Sequence, residues 1–182
     1  MAKISVKNLF KVFGPNPEHA LQLASKGRSR EDILRQTRST VALRDVSLDM
    51  AERELLVVMG LSGSGKSTLL RCLNGLIMPT AGSVLVDDQD IMQMKPRELR
   101  RVRQRCFGMV FQNFALFPHR TVLQNAAFGL EAMGVGEALR LKKSGEMLER
   151  VGLSQWANAY PRQLSGGMKQ RVGLARALAM EP

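Results

Sequence analysis

Apolar and polar residues alternate along Ile4-Ser5-Val6-Lys7-Asn8-Leu9 and on toward Phe13, and this period of two predicts a half-buried strand over residues 4–13. Asn16 before Pro17 reads as an N-cap followed by proline at the first helical position, with Gly27 placed to stop a short helix. Ser29, three residues ahead of Asp32, starts a second short helix carrying Ile33 and Leu34. Residues 15–40 therefore form a helical insert. Alternation returns from Val41 to Met50, and Leu55-Leu56-Val57-Val58-Met59 is a continuous apolar run suited to a strand covered on both faces. That run leads into a glycine-rich stretch, after which Leu69, Leu70, Leu73 and Leu76 recur at helical spacing. Farther on the pattern predicts strands over Gly82–Val86 and Phe107–Phe111 and helices over Pro96–Arg105, 121–133 and 137–151. Pro161 interrupts, and Leu164-Ser165-Gly166-Gly167 opens a last helix through Met180.

Strands alternating with helices indicate an α/β layer architecture, and 182 residues suit one core of ordinary size. The longest wholly apolar stretch, Leu55 to Met59, falls far below the roughly 20 residues a helix needs to cross hydrocarbon. Met1 to Val6 contains no apolar leader core, so a cytosolic chain is expected. A composition of 45% hydrophobic and 24% charged residues argues against disorder. Charge changes the picture more: 27 basic against 16 acidic residues give +11, which invites a polyanionic partner without choosing among nucleic acid, a lipid surface and a phosphorylated small molecule. Arg97, Arg100, Arg101, Arg103 and Arg105 cluster on one predicted helix and read as a solvated face. Cys72 and Cys106 are too few for a disulfide framework and are expected to be buried thiols.

The glycine-rich stretch narrows the choice. Gly60-Leu61-Ser62-Gly63-Ser64-Gly65-Lys66-Ser67-Thr68 fits the P-loop pattern, in which glycines let backbone N–H groups wrap around phosphate oxygens beside a helix N-terminus. In this arrangement Lys66 reaches the β- and γ-phosphates, Ser67 offers a hydroxyl to Mg²⁺, and Thr68 adds a phosphate contact.

Leu164-Ser165-Gly166-Gly167-Met168-Lys169-Gln170-Arg171 supplies a second polar helix start, and together with the P-loop it resembles the ATP-binding-cassette family. The resemblance implies a P-loop nucleotide-binding domain with an antiparallel β subdomain, a parallel sheet and a helical subdomain at about 118–163. It also implies a homodimer in which Leu164, Ser165, Gly166, Gly167 and Met168 of one copy close over ATP held by the P-loop of the other. Val110-Phe111-Gln112-Asn113-Phe114-Ala115-Leu116-Phe117-Pro118-His119 looks like the family's Q-loop, which implies that Gln112 serves Mg²⁺ and the attacking water and that the following loop faces a membrane subunit. Phe13 stands where the family stacks an aromatic ring on adenine. The alternative for Phe13 is a core residue closing its strand.

Three features make the chain similar to the glycine betaine, proline or choline importers: the insert from Pro15 to Thr40, the run from Phe111 to His119, and Met168. The implied protein is a peripheral ATPase at the cytoplasmic face of the membrane. Its partners are transmembrane permease subunits and, indirectly, a solute-binding protein, and nucleic acid is not expected. The family's buried-strand aspartate that fixes Mg²⁺, its neighbouring glutamate and its histidine that senses the γ-phosphate are not found: Asp87 and Asp88 precede Gln112, and His19 and His119 lie elsewhere. The chain therefore reads as the front part of the domain, ending before the strand that carries those groups, with an incomplete parallel sheet and deficient hydrolysis. Two other readings are a nucleic-acid-associated cassette, suggested by the +11 charge, and a non-hydrolysing nucleotide-binding fragment.

Overall fold

A computed structural model describes residues 2–182, in two compact units, one up to Leu99 and the other from Arg100 onward. The first unit is built on an antiparallel sheet of strand order β2-β1-β3-β4, with β1 Ala2–Phe13, β2 Thr40–Ala51, β3 Ala81–Val86 and β4 Gln89–Asp90. The alternation read from the sequence puts Val6 and Val12 of β1 and Val84 and Val86 of β3 in the interior. Asp87 and Asp88, both in the left-handed region at φ 48° and 61°, close the β3–β4 hairpin, and Asp87 pairs with Lys3 at 2.8 Å.

The insert is present as α1 (Pro17–Ser25) and α2 (Arg30–Thr37). Ser29 caps α2 by accepting the Asp32 N–H at 3.1 Å. Asn16 does not cap α1: its side-chain amide instead donates to the Thr37 carbonyl at 3.1 Å, tying the start of the insert to its end. Ala20, Ala24 and Ile33 pack with Val12 and Val41, so the two helices sit on the β1–β2 pair as part of one small core. Arg44 of β2 donates from Nη2 to the Arg28 carbonyl at 2.6 Å and fixes the α1–α2 turn.

The strands expected over Leu55–Met59 and Phe107–Phe111 do not form, and no parallel pairing occurs among the described residues. Leu55 and Met59 are 88% and 86% exposed. A continuous apolar run becomes a buried strand only when neighbours fill its ladder and cover both faces, and no such neighbours are present among the described residues. The helix after the glycine loop, α3 (Lys66–Leu73), buries Leu69 and Cys72 and leaves Leu70 exposed. Burial pushes the Cys72 thiol up, with a smaller opposing effect of Lys11. Cys106 is only half-buried, contrary to the expectation for it.

The basic helix α4 (Pro96–Cys106) contains the boundary between the units. In the second unit α5 (Val122–Ala132), α6 (Glu137–Arg150) and α7 (Gly166–Leu178) pack around Val122, Leu130, Leu148, Leu153, Val172 and Ala175. Thr121 and Gln124 form a reciprocal capping box on α5. Asn125, fully buried, accepts the Phe117 N–H at 2.7 Å and donates to the carbonyls of Phe117, Arg120 and Thr121, which shapes the turn ahead of α5. No helix is long and apolar enough to cross a membrane among the described residues.

Candidate functional site

Gly60 to Thr68 form a loop that delivers the chain into α3, with Gly65 as its N-cap. Gly65 has φ +100°, and a Cβ there would stand 2.6 Å from the Ala42 carbonyl oxygen and 3.1 Å from Leu43 Cδ2. Only glycine can take this backbone so close to β2. A Gly65→Ala substitution is expected to cost about 2 kcal/mol of stability and to weaken nucleotide binding, read by denaturant titration and by calorimetry with ATP.

Lys66 folds back over the loop. Its Nζ donates to the carbonyls of Gly60 at 2.8 Å and Leu61 at 2.7 Å and to Ser64 Oγ at 3.3 Å. Beside it lies a cavity of about 250 Å³ lined by Gly63, Gly65, Lys66, Ser67 and Thr68, by Thr40, Val41 and Ala42 of β2, and by Arg30 of α2. Helix N-terminal amides, an ammonium, a guanidinium and three hydroxyls with no carboxylate among the lining residues make an anion site. Ser67 adds a hard oxygen donor of the kind Mg²⁺ accepts. No cluster of three His, Cys, Asp or Glu residues competes for a metal among the described residues, so this donor fits an ion that keeps most of its shell as water and phosphate oxygen.

Phe13 ends β1 opposite Thr40, a residue of the cavity wall. Its ring is 43% exposed, with Lys11 Nζ 4.9 Å from the ring centroid, so the core alternative for Phe13 fails. Sequence reasoning missed Arg30 and the β2 segment because their place in the wall follows from tertiary packing. No local sequence pattern marks either, and only the strand pairing that sets Thr40 opposite Phe13 shows the wall.

In the second unit, Gln112 is exposed in an irregular segment between α4 and α5. Two residues on, Phe114 and Ala115 are consecutive left-handed residues at φ 58° and 47°. Their carbonyls accept from Arg176 of α7, Ala115 from Nη1 at 2.6 Å and Phe114 from Nη2 at 3.0 Å. Arg176 is 8% exposed, and burial lowers its pKa from the ordinary guanidinium value. Ser165 caps α7 by accepting the Met168 N–H at 3.3 Å, which leaves Gly166 and Gly167 exposed in the first turn while Leu164 is buried and Met168 packs on the core. A second cavity, about 490 Å³, is lined by His119, Arg120, Gln124, Glu131, Glu137 and Arg140 among others. Arg120 meets Glu131 through two bonds of 2.7 and 3.1 Å, and those hydrogen bonds hold the Glu131 carboxyl below its usual range.

A glycine loop that opens a helix, closed by its own lysine and facing an acid-free cavity, defines a phosphate-binding protein of the P-loop class. A family model described as ABC transporter matches residues 43–182, and the chain belongs to that family. It is 53% identical over 180 residues to the glycine betaine/proline betaine transport system ATP-binding protein ProV of Salmonella typhimurium, a match spanning 99% of this chain and 45% of that protein. It is 48% identical over 182 residues to the glycine betaine/carnitine transport ATP-binding protein GbuA of Listeria monocytogenes, covering 100% of this chain and 46% of that protein. The chain thus spans about half the length of these curated relatives. Among solved structures it is similar to the dimeric bacterial ABC transporter cassette MJ0796, with a TM-score of 0.81 and 35% identity over 98% of this chain and 70% of that one. A post-hydrolysis dimer of the same cassette bound to ADP and Pi matches with a TM-score of 0.81 and 34% identity, covering 98% of this chain and 70% of that one.

Proposed function

We propose that this chain is the nucleotide-binding part of an ATPase subunit that powers import of glycine betaine, proline betaine or a related quaternary amine. The observation that carries the reading is the phosphate loop of Gly60 to Thr68 beside its acid-free cavity, in a chain half identical, over nearly its whole length, to ATP-binding proteins of glycine betaine transport systems.

In this reading the loop amides and Lys66 hold the β- and γ-phosphates, and Thr68 adds a phosphate contact. Ser67 and Gln112 are the residues that would hold Mg²⁺. The bound ion would neutralise charge on the phosphates. Gln112 also orients the attacking water, and Phe13 stacks on adenine, a contact worth ~1–3 kcal/mol. Leu164, Ser165, Gly166, Gly167 and Met168 serve a second copy of the chain, whose P-loop nucleotide they cover. The dimeric cassettes of the same fold support that assembly. The segment after Gln112, with His119 and Arg120 at the second cavity, faces the permease, and the subunit is peripheral to the membrane.

The test is uptake of labelled glycine betaine by membrane vesicles containing the complete transporter. ATP-driven uptake that a Lys66→Ala substitution removes is the expected result. Vesicles that hydrolyse ATP yet accumulate neither glycine betaine, proline betaine nor choline overturn the substrate assignment.

A further inference from the structure

The insert between β1 and β2 lies outside the stretch matched by the family model, which begins at residue 43. It nevertheless reaches the phosphate cavity: Arg30, the first residue of α2, lines the same 250 Å³ space as Gly63, Gly65, Lys66, Ser67 and Thr68. We propose that Arg30 is a nucleotide-binding residue, a guanidinium supplied by the insert to the phosphate chain of the bound nucleotide. The proposal rests on the P-loop reading above and adds to it a contact that the Gly60–Thr68 motif does not contain.

Three observations support it. The Arg30 side chain is exposed and has no hydrogen-bond or ion-pair partner among the described residues, whereas Arg35 on the same helix is paired with Asp32 at 2.5 Å. The cavity wall holds two cations, Arg30 and Lys66, and no acid, so its charge complements an anion. Arg30 is also held in place. Ile33, one turn on, is fully buried against Val12 and Val41, Ser29 caps the helix, and Arg44 of β2 grips the Arg28 carbonyl two residues upstream. These contacts fix the backbone from which the side chain reaches the cavity, and the guanidinium fork matches phosphate oxygens better than an ammonium does.

The experiment compares ATP and ADP affinities of the purified protein with those of Arg30→Ala, Arg30→Lys and Lys66→Ala variants, at several salt concentrations. Arg30→Ala is expected to weaken both nucleotides about tenfold, Arg30→Lys less, and the salt dependence of binding to become shallower in Arg30→Ala. Unchanged affinity in Arg30→Ala, with binding lost in Lys66→Ala, overturns the role of Arg30 and leaves the P-loop reading standing. A weakening that lysine does not relieve and salt does not alter marks a packing effect and also overturns the contact. Absence of ATP binding by the unsubstituted protein overturns both readings.

Discussion

Replacing Lys66 with alanine is expected to weaken ATP binding about a hundredfold, equivalent to about 2.7 kcal/mol, and to remove hydrolysis in the complete transporter. The structure explains why the loss is not larger. Lys66 Nζ already has three acceptors, the carbonyls of Gly60 and Leu61 and the Ser64 hydroxyl. Nucleotide entry therefore exchanges neutral acceptors for charged phosphate oxygens, and only the difference between the two sets appears in the affinity. The same geometry predicts a second effect. Without the ammonium, two carbonyls of the loop lose the donor that holds them together, so hydrogen exchange of the Gly60–Ser64 amides should accelerate in the ATP-free Lys66→Ala protein. Calorimetry with ATP checks the first effect, and exchange in the absence of nucleotide checks the second. A variant that binds ATP as tightly as the parent removes Lys66 from the site.

The second large effect is expected at Arg176. Its guanidinium is the donor that gathers the carbonyls of Phe114 and Ala115, and those two residues occupy a backbone region that disfavours side chains by about 1–2 kcal/mol each. Arg176→Met keeps most of the buried stem and removes both donors. Stability should fall by about 2 kcal/mol, from two charge-assisted hydrogen bonds lost at a half-buried Phe114 and an exposed Ala115 and from strain left without compensation. The melting temperature should drop by about 6 °C. Arg176→Lys should recover part of the loss, because one ammonium can reach one of the two carbonyls without the fork's geometry. A Met variant that melts like the parent would show that Phe114 and Ala115 hold their conformation without Arg176.

Much of this was legible in the order of residues, for identifiable reasons. The glycine loop, the Ser29 and Ser165 caps and the strands of β1, β2 and β3 depend on interactions a few residues long or on a simple period, so local pattern suffices. Leu55–Met59 failed because an apolar run states only that a segment can be buried, while the partners that would bury it lie elsewhere. Asn16 failed in a related way: its NH2 group donates to the Thr37 carbonyl, 21 residues away, and that bond turns the side chain to the end of the insert while its oxygen caps nothing. Arg30, Arg44, Asn125 and Arg176 look like ordinary polar residues in sequence. Each acquires its place from a neighbour brought in by the fold: a cavity for Arg30, a turn for Arg44, a loop of carbonyls for Asn125 and two strained residues for Arg176.

The uncovered run Leu55-Leu56-Val57-Val58-Met59 has a bearing on how such a chain survives in a crowded solution. Five successive apolar residues, two of them valines of high β-propensity, uncharged, free of proline and outside any strand pairing, meet the conditions for strand addition between molecules. On one side Glu52, Arg53 and Glu54 place charges directly against the run, and on the other Gly60 begins a loop too glycine-rich to extend a growing sheet. These flanks act as gatekeepers. The glycine loop thus has, immediately upstream, an uncovered apolar segment. Colloidal solubility at this place depends on three charged side chains until something covers the run.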